Sequence, residues 1–287
     1  MSDTQPQPTI PEALALFELE RKGDTEFLGE SGPALRRLFG GQVAAQALIA
    51  AGRTVENIAA RPPHSLHAYF LRPGRGGVPV HYLVQHLKDG RNFAARAVNA
   101  VQAEEVIFTL HASFAQPEDG LAHQEARMPD SPPPDEVSES SFENWGRSLA
   151  LRAGIRIPES PVDIREIPRD AGVEPGTKSS LRRLWIRPRV ELPEDPLLHA
   201  ALLTWVSDRS LVRTGVRPPY TRSASTASLD HAMWFHHPPH FDDWLLYAMQ
   251  SPVAHAARAF IHGSMYRTDG TRVVTVAQEG LIRPGQS

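Results

Sequence analysis

Residues 39–55 read FGGQVAAQALIAAGRTV, and this stretch sets the pattern for the rest of the chain. Its apolar residues recur three and four positions apart: Val43, Ala44, Ala47, Leu48, Ala51 and Val55. That spacing predicts a helix with one buried face. Because most residues on this face are small, we expect the helix to lie close to the layer that covers it.

The four segments that follow this helix have the composition and length of strands. They cover residues 64–71, 78–86, 93–102 and 106–114. An Asp89-Gly90 turn separates the second from the third, and a short acidic turn separates the third from the fourth. Such turns between alternating segments are typical of antiparallel hairpins. One long helix followed by several antiparallel strands predicts an α+β fold.

Residues 116–159 differ from the rest of the chain in composition. They are polar and rich in proline, as in SPPPDE at residues 131–136. This composition predicts a linker on the surface, with residues 141–151 as a candidate helix inside it.

The pattern of helix and strands starts again after this linker. A helix is predicted over residues 196–212. Strands are predicted over 162–167, 181–192, 227–236, 254–266 and 271–282. The last two strands are separated by an Asp269-Gly270 turn, which is a strong hairpin signal.

Two sequence matches indicate that this restart is an internal repeat. SLHAYF at residues 65–70 resembles LDHAMWF at 229–235, and FAARAV at 93–98 resembles HAARAF at 255–260. His67 and His231 are 164 residues apart, and Arg96 and Arg258 are 162 apart. Two matches in the same order at nearly one offset predict a duplication. We expect an N-terminal repeat at 10–116, a linker at 117–159 and a C-terminal repeat at 160–287.

Composition excludes several classes of function. Among 287 residues there is no Cys, so disulfides, Cys nucleophiles, Fe–S clusters and Cys-type zinc sites are ruled out. The net charge of −3 offers no basic excess for a nucleic-acid partner. The N-terminus has no secretory pattern, and the most apolar run is far shorter than the roughly 20 residues of a membrane span. We expect a cytoplasmic protein without a membrane partner.

Several stretches, taken together and in order, carry a family resemblance. They are FGGQV at 39–43, HSLHAYFLRPG at 64–74, DGRNF at 89–93, SD at 207–208, SLDHAMWFH at 228–236, DWLLY at 243–247 and VAQEG at 276–280. The chain resembles the type II acyl-CoA thioesterases, a bacterial family with peroxisomal relatives, from Leu38 to Arg283. This resemblance implies a double hot-dog fold, in which each repeat wraps an antiparallel sheet around one long helix.

The resemblance also implies the reaction and its residues. The reaction is hydrolysis of acyl-CoA to a fatty acid and CoA, without a cofactor. The implied catalytic residues are Asp208, Ser228 and Gln278, with Ser at a position that is often Thr in the family. A thioester has an electrophilic carbonyl and a good leaving group, so a water activated by Asp208 and held by the other two suffices. Gly40 and Gly41, at the start of the first helix, are candidate donors to the oxyanion.

Other interpretations of these residues stay open at the level of sequence. Asp208 can be a solvated residue at a helix end, Ser228 a turn cap, and Gln278 a polar residue on a sheet face. The chain can then be a non-catalytic acyl-CoA-binding protein. An enoyl-CoA hydratase using Asp230 and His231 is a third hypothesis, although the usual hydratase signature is absent.

Metal binding and assembly are also addressed by the sequence. The histidines at positions 231, 236, 237 and 240 do not match a zinc spacing, and we expect no metal site. Because hot-dog proteins assemble through sheet edges, we expect a homodimer or homotetramer.

Overall fold

The helix predicted from residues 39–55 spans Gly40–Gly52 (α1). The structure, a computed structural model, describes residues 14–32, 37–139, 160–169, 181–216 and 225–283. Every residue of α1 from Val43 to Gly52 is buried, including the polar Gln46. The sequence predicted one buried face, whereas the helix is enclosed on all sides, because its small side chains let neighbours approach from every direction.

The second long helix spans Pro196–Ser207 (α2), and a short helix at Leu211–Thr214 (α3) follows it. The Asp195 side chain caps the start of α2 by accepting a hydrogen bond from the Leu197 N–H at 2.9 Å. The sequence predicted one helix as far as residue 212. It ends early because the Arg209 N–H donates to the Val206 carbonyl, only three residues back.

The two long helices lie side by side and run in opposite directions. A Cβ added at Gly41, in the first turn of α1, would lie 2.4 Å from the carbonyl oxygen of Trp205 near the end of α2. At the other end, a Cβ added at Gly52 would lie 2.4 Å from the Leu197 side chain. Glycine is therefore required at Gly41 for the two backbones to approach this closely, whereas at Gly52 it leaves room for the Leu197 side chain.

The described strands form one 13-stranded antiparallel sheet. Its strands are Leu19–Arg21 (β1), Glu26–Gly29 (β2), Pro63–Phe70 (β3), Val80–Asp89 (β4), Phe93–Gln102 (β5), Glu105–Ala115 (β6), Val162–Ile167 (β7), Arg182–Pro188 (β8), Ser225–Ser228 (β9), Asp230–Phe235 (β10), Leu245–His255 (β11), Arg258–Arg267 (β12) and Arg272–Arg283 (β13). Their order is β1-β2-β4-β5-β6-β3-β10-β13-β12-β11-β8-β7, and β9 pairs with β13 off this path.

The two halves of the chain meet inside this sheet. Strand β3 of the first half pairs with β10 of the second, with Leu66 opposite Met233 and Tyr69 opposite Asp230. Buried side chains from the strands of both halves join α1 and α2 in one main hydrophobic core. The sheet and the core are therefore continuous across the middle of the molecule.

Several strand predictions need correction. Strand β11 was not predicted, and the predicted strand at 254–266 begins only at Arg258, because Ala256 and Ala257 form a turn with positive φ. In β11, Tyr247 belongs to the main core and Leu246 to a smaller cluster on the other face. Because the first five residues of this strand are buried on both faces, they show no polar alternation that would reveal it. Strands β1 and β2 were also not predicted.

The two sequence matches do not pair equivalent positions. His67 is exposed on the outer face of β3, whereas His231 is 1% exposed on the inner face of β10. The Arg96 side chain is 1% exposed, whereas that of Arg258 is 50% exposed. Because successive strand residues face opposite sides, an alignment that is one residue out of register exchanges the two faces.

The first part of the predicted linker lies against the second half. The Trp185 indole N–H donates to the Pro132 carbonyl at 2.8 Å, and Arg165 donates to the Pro134 carbonyl at 2.7 Å. Val137 joins the smaller hydrophobic cluster. The predicted helix at residues 141–151 lies outside the described residues. Among the residues that are described, no helix is long and apolar enough to cross a membrane.

Candidate active site

The three residues singled out in the sequence lie together at the end of α2. Asp208 follows the last residue of this helix. Its Oδ1 accepts hydrogen bonds from the Ser228 hydroxyl at 3.2 Å and from Gln278 Nε2 at 2.9 Å. Ser228 ends β9 and Gln278 lies in β13, so three separate elements contribute to one cluster.

The backbone around Leu229 fixes Ser228 and Gln278 relative to each other. Strand β9 pairs with β13 with Ser228 opposite Gly280. The Leu229 N–H donates to the Glu279 carbonyl at 3.0 Å, and the Glu279 N–H donates to the Asp230 carboxylate at 2.6 Å. Asp230 therefore has a structural partner in β13. Burial raises the pKa of its carboxyl group, although the bond from Glu279 opposes this change.

The amide of Gln278 is buried, with only 1% of the residue exposed. Besides its bond to Asp208, Nε2 lies 3.2 Å from Nδ1 of His231. Within the described ranges, the amide oxygen Oε1 is buried without a hydrogen-bond partner. Both amide hydrogens thus have acceptors inside the protein, whereas the acceptor oxygen does not.

His231 also belongs to this cluster, although its sequence pattern suggested only a repeat match, a metal site or a hydratase. Its Nε2 lies 2.8 Å from the Ser207 hydroxyl, which in turn lies 2.8 Å from the Thr204 carbonyl. Burial lowers the pKa of the ring, an effect that the charge of Asp208 opposes. No spacing in the sequence indicates that residues 207, 231 and 278 meet, because the contacts join one helix to two strands.

The start of α1 lies beside the Asp208 carboxylate. A Cβ added at Gly40 would lie 2.7 Å from Asp208 Oδ2 and 2.9 Å from the Phe70 ring. No side chain caps this helix start, since Phe39 has extended backbone and makes no side-chain cap bond. The first N–H groups of a helix have no intrahelical acceptor, so they are available to a ligand at this end.

Aromatic contacts hold the start of α1 against the end of α2. The rings of Phe39 and Trp205 meet edge to face, with centroids 5.4 Å apart. The guanidinium of Arg209 lies 5.7 Å from the Phe39 centroid and 5.5 Å from the Trp205 centroid. Such contacts contribute about 0.5–1 kcal/mol each when exposed. They fix the helix start relative to Asp208.

A cavity of about 290 Å³ opens next to this cluster. Its lining includes Gly40, Val43, Phe70, Phe108, Ser228 and Leu229, and also Arg37 and Arg72. Because Gly40 and Ser228 both line the cavity and both contact Asp208, the carboxylate lies directly behind the cavity wall. The lining is mostly apolar, which suits a ligand with a hydrocarbon portion.

The other candidate groups have different surroundings. Both ring nitrogens of His231 have protein partners, and Asp230 is bonded to the backbone of β13. Across the parts of the chain that the structure describes, no group of three His, Asp or Glu side chains is arranged to hold a metal ion.

Comparison with known proteins places this chain in a family. The family model for acyl-CoA thioesterases matches residues 161–281, and the model for the N-terminal domain of these enzymes matches residues 30–115. The chain is 38% identical to acyl-coenzyme A thioesterase 8 of Mus musculus over 264 residues, which covers 88% of this chain and 82% of that protein.

Solved structures agree with these sequence matches. Acyl-CoA thioesterase II TesB2 of Mycobacterium marinum is 38% identical, with a TM-score of 0.80 over 96% of this chain and 99% of that one. A protein of Alicyclobacillus acidocaldarius described as a hot dog fold is 20% identical, with a TM-score of 0.71 over 95% and 98% of the two chains. The structure is thus a hot-dog fold with a large antiparallel sheet and few helices, and the chain belongs to the acyl-CoA thioesterase family.

Proposed function

We propose that this protein hydrolyses acyl-CoA thioesters to a free fatty acid and CoA, with Asp208, Ser228 and Gln278 as its catalytic residues. One observation carries the proposal: Ser228 and Gln278 both donate to Oδ1 of Asp208, and Oδ2 lies beside Gly40 at the cavity wall. The two donors occupy one carboxylate oxygen and leave the other to accept a proton from water.

In the proposed reaction, a water held by the cluster attacks the thioester carbonyl carbon. Asp208 Oδ2 accepts a proton from this water as the new C–O bond forms. The buried Oε1 of Gln278 accepts the second water hydrogen, which gives this unpartnered atom a role. When the C–S bond breaks, the CoA thiolate leaves and takes up the proton from Asp208, so the products are the carboxylic acid and the CoA thiol.

The start of α1 is the proposed site for the developing oxyanion. The N–H groups of Gly40 and Gly41 precede the first intrahelical bonds, which are donated by Gln42 and Val43 to the Phe39 carbonyl. Free N–H groups at a helix start stabilise negative charge. The apolar part of the cavity would hold the acyl chain, and Arg37 and Arg72 suit the phosphates of CoA.

Release of thiol from acyl-CoAs of increasing chain length tests this proposal. The wild-type chain should release CoA, and Asp208→Asn should lower kcat by about 10²–10⁴-fold while the protein stays folded. A wild-type rate unaffected by this substitution would refute the mechanism. A protein that binds acyl-CoA tightly without releasing thiol would instead be the binding protein considered above, and hydration of an enoyl-CoA would identify a hydratase.

We further infer that the fold is a double hot-dog, with one repeat at 10–116, a linker at 117–159 and a second repeat at 160–287. Helix α1 precedes β3–β6 and helix α2 precedes β10–β13, which supports one long helix per repeat. The two family models also match on either side of the linker.

Assembly as a homodimer or homotetramer is proposed as well. Exposed Leu83 and Leu87 on β4 support it, and sedimentation analysis tests it.

A further inference from the structure

We propose that His231 is a positioning residue for hydrolysis: together with Ser207, it fixes the orientation of the Gln278 amide beside Asp208. This inference rests on the proposed function, because it concerns how the catalytic cluster is held. His231 lies 1% exposed on the inner face of β10, so it acts through Gln278.

The hydrogen bonds of Ser207 determine which nitrogen of His231 carries the proton. The hydroxyl hydrogen of Ser207 has two acceptors other than the ring, the Thr204 carbonyl at 2.8 Å and the Met233 sulfur at 3.3 Å. With its hydrogen on either of these acceptors, the Ser207 oxygen accepts from His231 Nε2, which lies 2.8 Å away. The neutral ring consequently carries its hydrogen on Nε2, and Nδ1 is an acceptor.

An acceptor at Nδ1 determines which way the Gln278 amide faces. Nε2 of Gln278 has two hydrogens, one for Asp208 Oδ1 at 2.9 Å and one for His231 Nδ1 at 3.2 Å. A reversed amide would place Oε1 at these distances from two acceptors, so lone pairs would face lone pairs at both contacts. Only the observed orientation satisfies the amide and keeps Oε1 as the acceptor that remains for water.

The hydrogen bonds of this network start and end at two residues that are neighbours in the sequence. It begins at Ser207, passes through His231 and Gln278 and ends at Asp208, which is the next residue after Ser207. The Tyr247 hydroxyl also donates to the Ser207 carbonyl at 2.9 Å and holds this turn in place. Because the anchor and the carboxylate are neighbours in sequence, the ring fixes Gln278 against the same helix end that carries Asp208.

Two amide substitutions at position 231 test whether Gln278 needs an acceptor at the Nδ1 position or only a polar side chain nearby. In His231→Asn, the amide oxygen takes the place of Nδ1 and can accept from Gln278. In His231→Gln, the longer side chain places its amide near the Nε2 position, toward Ser207. Both variants bury a neutral polar group, and His231→Leu removes both contacts.

We expect His231→Leu and His231→Gln to lower kcat by about 100-fold with KM changed by less than about threefold, because Gln278 is misoriented in both. His231→Asn should recover kcat to within about fivefold of wild type. A kcat for His231→Asn as low as that for His231→Gln would overturn the proposal, as would wild-type kcat in His231→Gln. If His231→Leu fails to fold, the kcat values of the two amide variants still test the proposal.

The tautomer gives a readout that does not depend on activity. In the full-length chain labelled with ¹⁵N-histidine, the resonances that disappear in His231→Asn belong to His231. They should show a protonated Nε2 and an unprotonated Nδ1 at neutral pH, and Ser207→Ala should change their shifts. A ring protonated at Nδ1 would overturn the proposal. Wild type and Asp208→Asn are measured in the same kinetic assay. The proposed function requires that the wild type releases thiol and that Asp208→Asn loses this activity, so it can hold even if the proposal for His231 fails.

Discussion

At the scale of single residues, the two adjacent glycines that begin α1 have different neighbours. The space beside Gly40 is limited by a carboxylate oxygen of Asp208 and by the Phe70 ring. The space beside Gly41 is limited by the backbone oxygen of Trp205, at 2.4 Å from an added Cβ, and by the Phe39 ring. A side-chain carboxylate can rotate away, whereas a helix backbone cannot.

Alanine at these two positions should therefore have different effects. Gly40→Ala should displace the Asp208 carboxylate and lower kcat by about tenfold or more, with little change in Tm, since Ala also favours the helix. Gly41→Ala should lower Tm, because α1 and α2 must move apart. Thiol-release kinetics and thermal unfolding on both variants measure this. Normal kcat in Gly40→Ala would contradict the proposed position of the reacting oxygen.

Two substitutions of Ser228 test the role of its hydroxyl group. Ser228→Ala removes the hydroxyl that donates to Asp208 and should lower kcat by about 10- to 100-fold, as expected for a bond to a charged group. Ser228→Thr keeps the hydroxyl and should retain most of the activity. Equal losses in the two variants would show that the shape of the side chain matters more than its hydrogen bond.

The sequence contained only part of this cluster. Asp208, Ser228 and Gln278 follow from ordered motifs that match a family, and the structure brings them together. His231 and Ser207 could not be given their parts, because a hydrogen bond between α2 and β10 leaves no periodic trace in the sequence. The contact of Gly40 with Asp208 likewise depends on the way two helices cross, which local sequence patterns do not specify.

At the scale of strands and helices, Arg96 shows how one buried charge joins several elements. From β5 it donates to the hydroxyl and carbonyl of Thr54 and to the Lys88 carbonyl. It also bonds the half-exposed Asp89 at 2.6 Å. Burial raises the pKa of Asp89, but the bonds from Arg96 and His86 outweigh it, so the pKa of this carboxyl is lowered.

Arg96→Met should lower the free energy of unfolding by about 1–3 kcal/mol, because it leaves buried acceptors without their donor. Arg258 is a matched control, since it resembles Arg96 in local sequence but is half exposed and bonded only to Glu279 at 3.1 Å among the bonds described. Arg258→Met should change the free energy by less than about 1 kcal/mol. Denaturant unfolding of both variants measures the difference, and equal effects would contradict the opposite burial of the two positions.

Two strands and one helix were predicted well, although only β5 has buried residues that alternate with partly or fully exposed ones. Strand β5 and strand β7 have the predicted boundaries, and α1 lies within its predicted range. Strand β11 was missed because its first residues are buried on both faces. The register error in the repeat has a similar origin, since sequence similarity between short motifs does not report which face of a strand is inside.

At the scale of the whole molecule, four histidines with lowered pKa values connect stability to pH. Burial lowers the pKa of His231, and also those of His64, His236 and His262. An unfolded His titrates near pH 6.5, so below that value the unfolded chain binds protons that the folded chain does not. Stability is therefore lost as the pH falls through about 6.5, and this loss ends below the folded pKa values.

The free energy of unfolding should thus fall between pH 7 and pH 5, by up to about 1.4 kcal/mol per pH unit for the buried His231 and by less for the three histidines that solvent reaches. His231→Asn removes one of these groups, and its stability should depend less steeply on pH over this range. Urea unfolding at several pH values measures the slope. Parallel curves for the variant and the wild type would show that His231 does not contribute.

The joining of the halves could not be predicted from the sequence. Local patterns predicted two sets of helix and strands, which is an α+β arrangement. Nothing in those patterns specifies that β3 pairs with β10, because this contact spans more than 160 residues and depends on both sets being folded. For the same reason, the sequence did not predict that the linker would lie over β8, where Pro132 accepts from Trp185.

The two ends of the paired long helices differ, and this difference bears on how many acyl-CoA molecules one chain binds. Where α1 begins without a cap, α2 ends in the carboxylate of Asp208. At the opposite end, α2 begins with Pro196 and the Asp195 cap, and α1 is followed by Arg53, which donates to the Leu19 carbonyl. At that end Pro196 has no N–H, the Leu197 N–H is bonded to Asp195, and the carboxylate lies at the start of a helix rather than after its last residue. On the proposed duplication, the chain should therefore bind one acyl-CoA rather than two.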